Sequence, residues 1–293
     1  MSDILRGHLA MLAFSALVAG SFSLGSMSAN HIDPAAFNAV RFLCGAVVVA
    51  ALVQARGGFK PWHFRAPWRY LVLGGLFGGY FVLMFEGLKT APPVSTAAVF
   101  TLTPIMTAGF GYLLLRQVMT ARMALALTIG GAGALWVIFR ADLSALLAFE
   151  VGRGELVYFI GCIAHAVYTP LVRVLNRGEG APVSTFGTMI GGAVVLSVWG
   201  GSAMVDTDWM ALPGIVWITL AYTSVMATAI TVVLLQFASL RLPSSKVMAY
   251  TYLTPTWVIG WEVALGNGVP PVLVLGGVVL TVLALGLLLK DEG

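Results

Sequence analysis

The stretch Pro92–Leu115, PPVSTAAVFTLTPIMTAGFGYLLL, and the stretch Pro243–Leu265, PSSKVMAYTYLTPTWVIGWEVAL, carry one tripeptide in common. It is Leu102-Thr103-Pro104 in the first and Leu253-Thr254-Pro255 in the second, an offset of 151 residues. At the same offset Pro92 and Pro243 stand ahead of the two apolar runs, and Gly7 and Gly154 precede two others at a nearby offset of 147. Each stretch is about as long as a helix that crosses a hydrocarbon core of roughly 30 Å.

Working outward, the whole chain reads the same way. Of its 293 residues 59% are hydrophobic and 10% charged, and the mean hydropathy is +0.94, whereas a soluble domain carries roughly 25% charged residues. Apolar runs broken by charge, Pro or Gly predict ten spans: 8–28, 35–54, 68–88, 94–115, 121–139, 155–175, 182–200, 214–238, 243–265 and 271–289. The connections are short and leave no room for a soluble domain. The first run could imitate a signal peptide, but at about 20 apolar residues it exceeds the usual 7 to 15 and reads as a spanning helix. Cys44 and Cys162 fall inside apolar runs and read as small core residues.

The repeat divides the chain into residues 1–148 and 149–293, five helices each. Because five is odd, the second unit starts on the opposite side of the bilayer. The expected fold is an all-α integral membrane protein of ten transmembrane helices in two inverted five-helix repeats, a design of many secondary transporters. Twelve Lys and Arg then fall on the side of the N-terminus and Lys89, Arg140 and Arg153 on the other, with Arg41 inside the second span. The positive-inside rule therefore predicts cytoplasmic N- and C-termini in the cell (inner) membrane. The net charge of +4 has the same explanation, so nucleic acid is not an expected partner.

The order of these features resembles the drug/metabolite transporter superfamily in its EamA-type ten-helix branch. The resemblance covers essentially the whole chain. It rests on Pro34 and Arg41 seven residues apart, Leu88-Lys89-Thr90-Ala91 and Ser239-Leu240-Arg241-Leu242-Pro243 ahead of helices 4 and 9, both Leu-Thr-Pro motifs, and Gly154-Glu155 at the start of helix 6. The family often ends helices 4 and 9 with a Gly-Glu pair, where this chain has Arg116 and Asn267; that departure touches an interfacial role and not the fold. The resemblance implies export of metabolites, with amino acids a prominent class, in the manner of the aromatic amino acid exporters.

Candidate site residues follow from position. Pro104 and Pro255 each remove a backbone donor mid-helix and read as paired kinks, either packing bends or hinges at a site; Pro170 adds a third bend. Tyr250, Thr254, Trp257 and Trp261 share a helical face by spacing, as do Thr96, Phe100, Thr103 and Thr107. Rings and hydroxyls suit a ligand with an apolar body and a few polar groups; the alternative is an aromatic stripe packing core or facing lipid. His165 lies mid-span, followed by Tyr168. It either donates to a substrate carboxylate or carries a proton, or it is a neutral imidazole bonded to a neighbouring hydroxyl. With Tyr80 on helix 3, the expected substrate-binding set is Tyr80, Phe100, Thr103, His165, Tyr168, Tyr250, Thr254 and Trp257.

Arg41, Glu86 and Glu262 read as snorkelling to the interface, with an Arg41–Glu86 pair as the alternative, and Lys246 as a solvated entrance residue. The Gly74-Gly75, Gly78-Gly79, Gly130-Gly131, Gly133 and Gly276-Gly277 patterns imply close helix packing, with homodimer contact as the alternative. No motif calls for a metal, a cofactor or an enzyme nucleophile. A passive channel or facilitator, or export of drugs and other metabolites, stays open beside amino acid export. No acidic residue lies near the bilayer centre, so proton coupling would rest on His165, and uniport is equally admissible.

Overall fold

The computed structural model describes residues 3–148 and 151–289. In chain order its helices are α1 (Asp3–Ser28), α2 (Pro34–Ala55), α3 (Trp68–Leu88), α4 (Pro93–Phe100), α5 (Thr103–Leu115), α6 (Ala121–Ile138), α7 (Leu143–Ala148), α8 (Arg153–Leu175), α9 (Ala181–Trp199), α10 (Gly201–Asp206), α11 (Gly214–Ser224), α12 (Thr231–Ser239), α13 (Ser244–Ala249), α14 (Thr254–Ala264) and α15 (Val272–Leu289). Among the described residues, eight helices are long and apolar enough to cross a membrane, counting α4 with α5 and α11 with α12 as one each; Val272–Leu288 is apolar but shorter.

Local chemistry sets several starts. Asp33 accepts from the Ala35 and Ala36 amides ahead of Pro34, which opens α2 with its ring already at a helical φ. Thr120 caps α6 through the Met123 amide, and Arg116 ends α5 in the left-handed region at φ 55°.

Both Leu-Thr-Pro motifs sit at an interruption. Thr101 and Leu102 form a turn between α4 and α5, and Tyr250–Leu253 form a 3-10 turn between α13 and α14. Each proline is then the second residue of the helix that follows, where its missing N–H costs no helical bond. A third interruption has no proline: Val225–Ile230, between α11 and α12, is a π-helical turn.

The helices pack as a bundle. α13 lies against α5 and α14 against α4, so the two interrupted runs lie side by side in opposite directions. α3 packs on α8 and α9, α2 on α9, α6 on α15, and α1 on α11, α12 and α14. Among the described residues several crossings are backbone-to-backbone, the Gly87–Gly154 approach of α3 and α8 included. A side chain at Gly74 would meet Gly191, Gly192 and the Thr188 carbonyl of α9, and one at Gly133 would come within 2.6 Å of the Gly277 carbonyl. With little hydrophobic drive between helices in lipid, such close approach is what binds them. Buried aromatic residues fill the centre, and exposed Val47, Leu113, Val198 and Leu283 belong to an apolar outer surface.

Candidate functional site

At the centre, α3 and α8 interleave their aromatic side chains. α3 supplies Phe77, Tyr80 and Phe81, and α8 supplies Tyr158, His165 and Tyr168; Phe100 closes the end of α4, and Phe22 of α1 lies against Phe100 and Tyr158. The His165 ring is 4.6 Å from Tyr80, 5.4 Å from Phe100, 5.5 Å from Phe77 and 6.1 Å from Tyr168, between centroids. The imidazole is 1% exposed and its Nδ1 has no hydrogen-bond partner. A nitrogen left so in a low-dielectric interior costs about 1–3 kcal/mol.

Hydroxyl pairs stitch this nest. Tyr80 and Tyr158 share a hydrogen bond at 2.9 Å, and Gln236 Nε2 donates to the Tyr168 hydroxyl at 3.0 Å and to Thr188 Oγ1 at 3.2 Å. Thr103 Oγ1 donates to the Phe100 carbonyl at 2.5 Å, capping the end of α4 across the break. Pro170 stays inside a continuous α8, and Thr169 donates to the His165 carbonyl at 3.2 Å, one turn back.

The expected residues thus fall into two groups. Tyr80, Phe100, Thr103, His165 and Tyr168 come together. Tyr250, Thr254 and Trp257 stand apart on the α13–α14 run. The Tyr250 hydroxyl bonds to His8 Nδ1 at 3.1 Å, and Trp257 Nε1 donates to Ser15 Oγ at 3.2 Å, so both meet α1. Trp257 is 41% exposed, and the buried Thr254 hydroxyl has no partner.

Tyr158 and Gln236 were not in the expected set. The spacing of Tyr158, Cys162, His165 and Thr169, at steps of four, three and four, marks one helix face and could have found Tyr158. Gln236, an amide inside an apolar span, was a second available signal.

Arg41 departs from expectation, whereas Glu86 keeps a side chain 40% exposed near the end of α3. Arg41 is fully buried, so it does not snorkel, and it does not pair with Glu86, which bonds to Lys89 at 2.6 Å. The Arg41 side chain points inward to the π-helical turn, where Nε donates to Thr228 Oγ1 at 2.6 Å and NH2 to the Ala227 carbonyl at 3.0 Å. Glu262 accepts from Asn267 at 2.9 Å near the end of α14. Lys246 is 8% exposed and lines a cavity wall, so it is not fully solvated.

That cavity, about 620 Å³, opens at the end of the bundle where α1 begins. Its lining includes His8, Gln117, Thr120, Arg241, Ser245 and Lys246, and it reaches as deep as Ala108, one turn past Pro104. The centre around His165 is closed aromatic packing. At the far end Ser95 donates to Glu155 at 2.8 Å, joining the starts of α4 and α8. Among the described residues no three His, Cys, Asp or Glu cluster as a metal site would need.

Known proteins match this chain throughout. A model described as the EamA-like transporter family matches twice, over residues 5–139 and again over 152–290. The chain is 27% identical over 275 residues to an uncharacterized transporter, YyaM, of Bacillus subtilis strain 168, covering 92% of this chain and 90% of that one. A solved crystal structure shares the fold with a TM-score of 0.73, over 98% of this chain and 97% of that chain, at 21% identity.

Proposed function

The chain belongs to the EamA-like transporter family, and from that membership we propose a secondary transporter that exports small metabolites, amino acids foremost and aromatic or amphipathic ones among them. It works by alternating access between the two faces of the bundle, across ten spans arranged as two inverted five-helix repeats. Four findings support that arrangement: the family model matches each half separately, both Leu-Thr-Pro motifs sit at breaks, and the broken runs lie antiparallel. The fourth is that the pairing of α3 with α8 has its counterpart, under exchange of halves, in α1 with α11 and α12.

One observation carries the reading: the imidazole of His165, one nitrogen unpartnered, sits in a cage of rings and hydroxyls drawn from both halves. Such a cage fits an amphipathic solute, the rings taking its apolar body and His165 and the hydroxyls its polar groups. In this conformation the cage is shut while a polar cavity opens at the face we assign to the cytoplasm. The breaks at Pro104 and Pro255 are the hinges across which the cavity passes to the other face, with Tyr250, Thr254 and Trp257 re-forming contacts as the α13–α14 run moves against α1.

Counterflow tests this. Proteoliposomes preloaded with a mixture of amino acids should exchange a subset of them saturably. His165→Ala should cut that exchange about tenfold while the amount of folded protein in the membrane is unchanged. Unsaturable flux without counterflow would instead make the protein a passive channel, and full activity of His165→Ala at every pH would remove His165 from the mechanism.

A further inference from the structure

We propose that Arg41 and the π-helical turn facing it form the anchor for a carboxylate on the transported solute. The proposal rests on the transport reading and names the chemical class its site takes.

Arg41 lies in the bundle interior at 0% exposure, and among the described residues no carboxylate is within ion-pair distance of it. Its partners are all neutral: Thr228 Oγ1, the Ala227 carbonyl, and Asn38 Oδ1 at 3.4 Å. Asn38 is itself held by donating to the Pro34 carbonyl at 2.8 Å. One bond from each guanidinium nitrogen leaves two of the five N–H groups without an acceptor. A brace between α2 and the α11–α12 turn could be built from a neutral amide. A full positive charge in a membrane interior is costly unless an anion meets it, and a planar fork of N–H donors is shaped for a carboxylate.

The turn supplies an independent sign. Val225–Ile230 is π-helical with no proline or glycine to cause it, and it directs Ala227 O and Thr228 Oγ1 at the guanidinium. Single π turns inside α-helices recur at functional sites. Next to the cation, the Phe81 ring lies 3.7 Å from the guanidinium carbon. Phe81 is 4.7 Å from Tyr80, and Tyr80 is 4.6 Å from His165. A solute whose carboxylate meets Arg41 therefore has its apolar body among the rings of the nest. The class is a carboxylate with an adjacent apolar or aromatic body.

The test compares amino acids with their amides, which keep the side chain and lose the anion. Wild-type proteoliposomes are scored for counterflow of the amino acid mixture and then of the carboxamides of whichever members exchange. We expect acids to exchange about tenfold or more faster than amides, and Arg41→Gln to abolish that preference. Arg41→Lys, which keeps the charge and covers the case in which Arg41→Gln does not fold, should keep the preference with a raised KM. Equal rates for acid and amide in the wild type, or an unchanged preference in folded Arg41→Gln, would overturn the anchor and leave transport standing. No exchange of any member of the mixture by the wild type would overturn the amino acid reading and the anchor with it.

Discussion

Glu179→Ala should lower the stability of the folded protein by about 3–5 kcal/mol, the range for removing one partner of a buried ion pair. Arg69 and Glu179 meet at 2.6 Å with side chains 3% and 1% exposed. Arg69 NH1 also donates to the Leu175 carbonyl, and Glu179 accepts from the Arg177 amide at 2.9 Å and lies 3.4 Å from the Tyr70 hydroxyl. The pair ties the start of α3 to the turn between α8 and α9. Truncating the glutamate strands the guanidinium without its anion in a dry setting, and that stranded charge causes most of the loss. Changing both residues together, Arg69→Met with Glu179→Leu, should recover most of the stability, because the desolvation of both ions disappears with their attraction. Thermal unfolding in detergent should show a fall of about 10 °C for Glu179→Ala and a much smaller one for the double change. Equal losses for both would show that packing, and not the charge, is what matters there.

Gly74→Leu should abolish recovery of folded protein, while Gly79→Ala, five residues on in the same helix, should be tolerated. At Gly74 even a Cβ runs into the backbone of Thr188, Gly191 and Gly192, and backbone cannot step aside as a side chain can. The α3–α9 crossing would have to open, moving the Arg69–Glu179 pair and the Phe77–Tyr168 contact with it. Overpacking of this kind costs about 1–3 kcal/mol where side chains can adjust and more where they cannot. At Gly79 nothing lies within 4 Å, so Ala there gains helix propensity of up to about 1 kcal/mol. Size-exclusion profiles of membrane extracts separate the two outcomes, and a monodisperse Gly74→Leu peak at wild-type yield would contradict the crossing.

These glycines illustrate what was legible in the sequence. The small-residue patterns of helix 3 announced a close approach, yet they could not say that Gly74 touches backbone while Gly79 touches nothing. Span limits were readable because charge, proline and glycine punctuate the apolar runs, and the helices at 68–88, 121–138 and 181–199 begin or end within a residue of expectation. Facing was harder. In a soluble helix polar residues mark the outside, whereas here exposed Val47 and buried Val49 are equally apolar, so periodicity fades where lipid replaces water.

Arg41 shows the consequence. Its place two turns inside a helix end suggested a side chain reaching for the interface, but the side chain turns inward to α11 and α12. The π-helical turn that receives it has no local signal, since Val225-Met226-Ala227-Thr228-Ala229-Ile230 is an ordinary apolar run. His165 and Tyr168 could be picked out because an imidazole and a phenol stand out mid-span. Their ring partners on α3 are set by tertiary packing, and Arg69, one of the twelve basic residues counted on the side of the N-terminus, has its partner more than a hundred positions away.

Under the proposed alternating access the two faces open in turn. Cys44 and Cys162 are changed to Ala, and single cysteines are placed at Ala108, the deep end of the open cavity, and at Ser95, closed against Glu155 at the other face. Labelling with a membrane-impermeant maleimide, with and without a saturating exchanged amino acid, should be reciprocal. Without solute Ala108→Cys should react and Ser95→Cys should not; with it, Ser95→Cys should gain labelling as Ala108→Cys loses it. Simultaneous labelling at both positions, or reactivity at either that solute leaves untouched, would contradict alternating access.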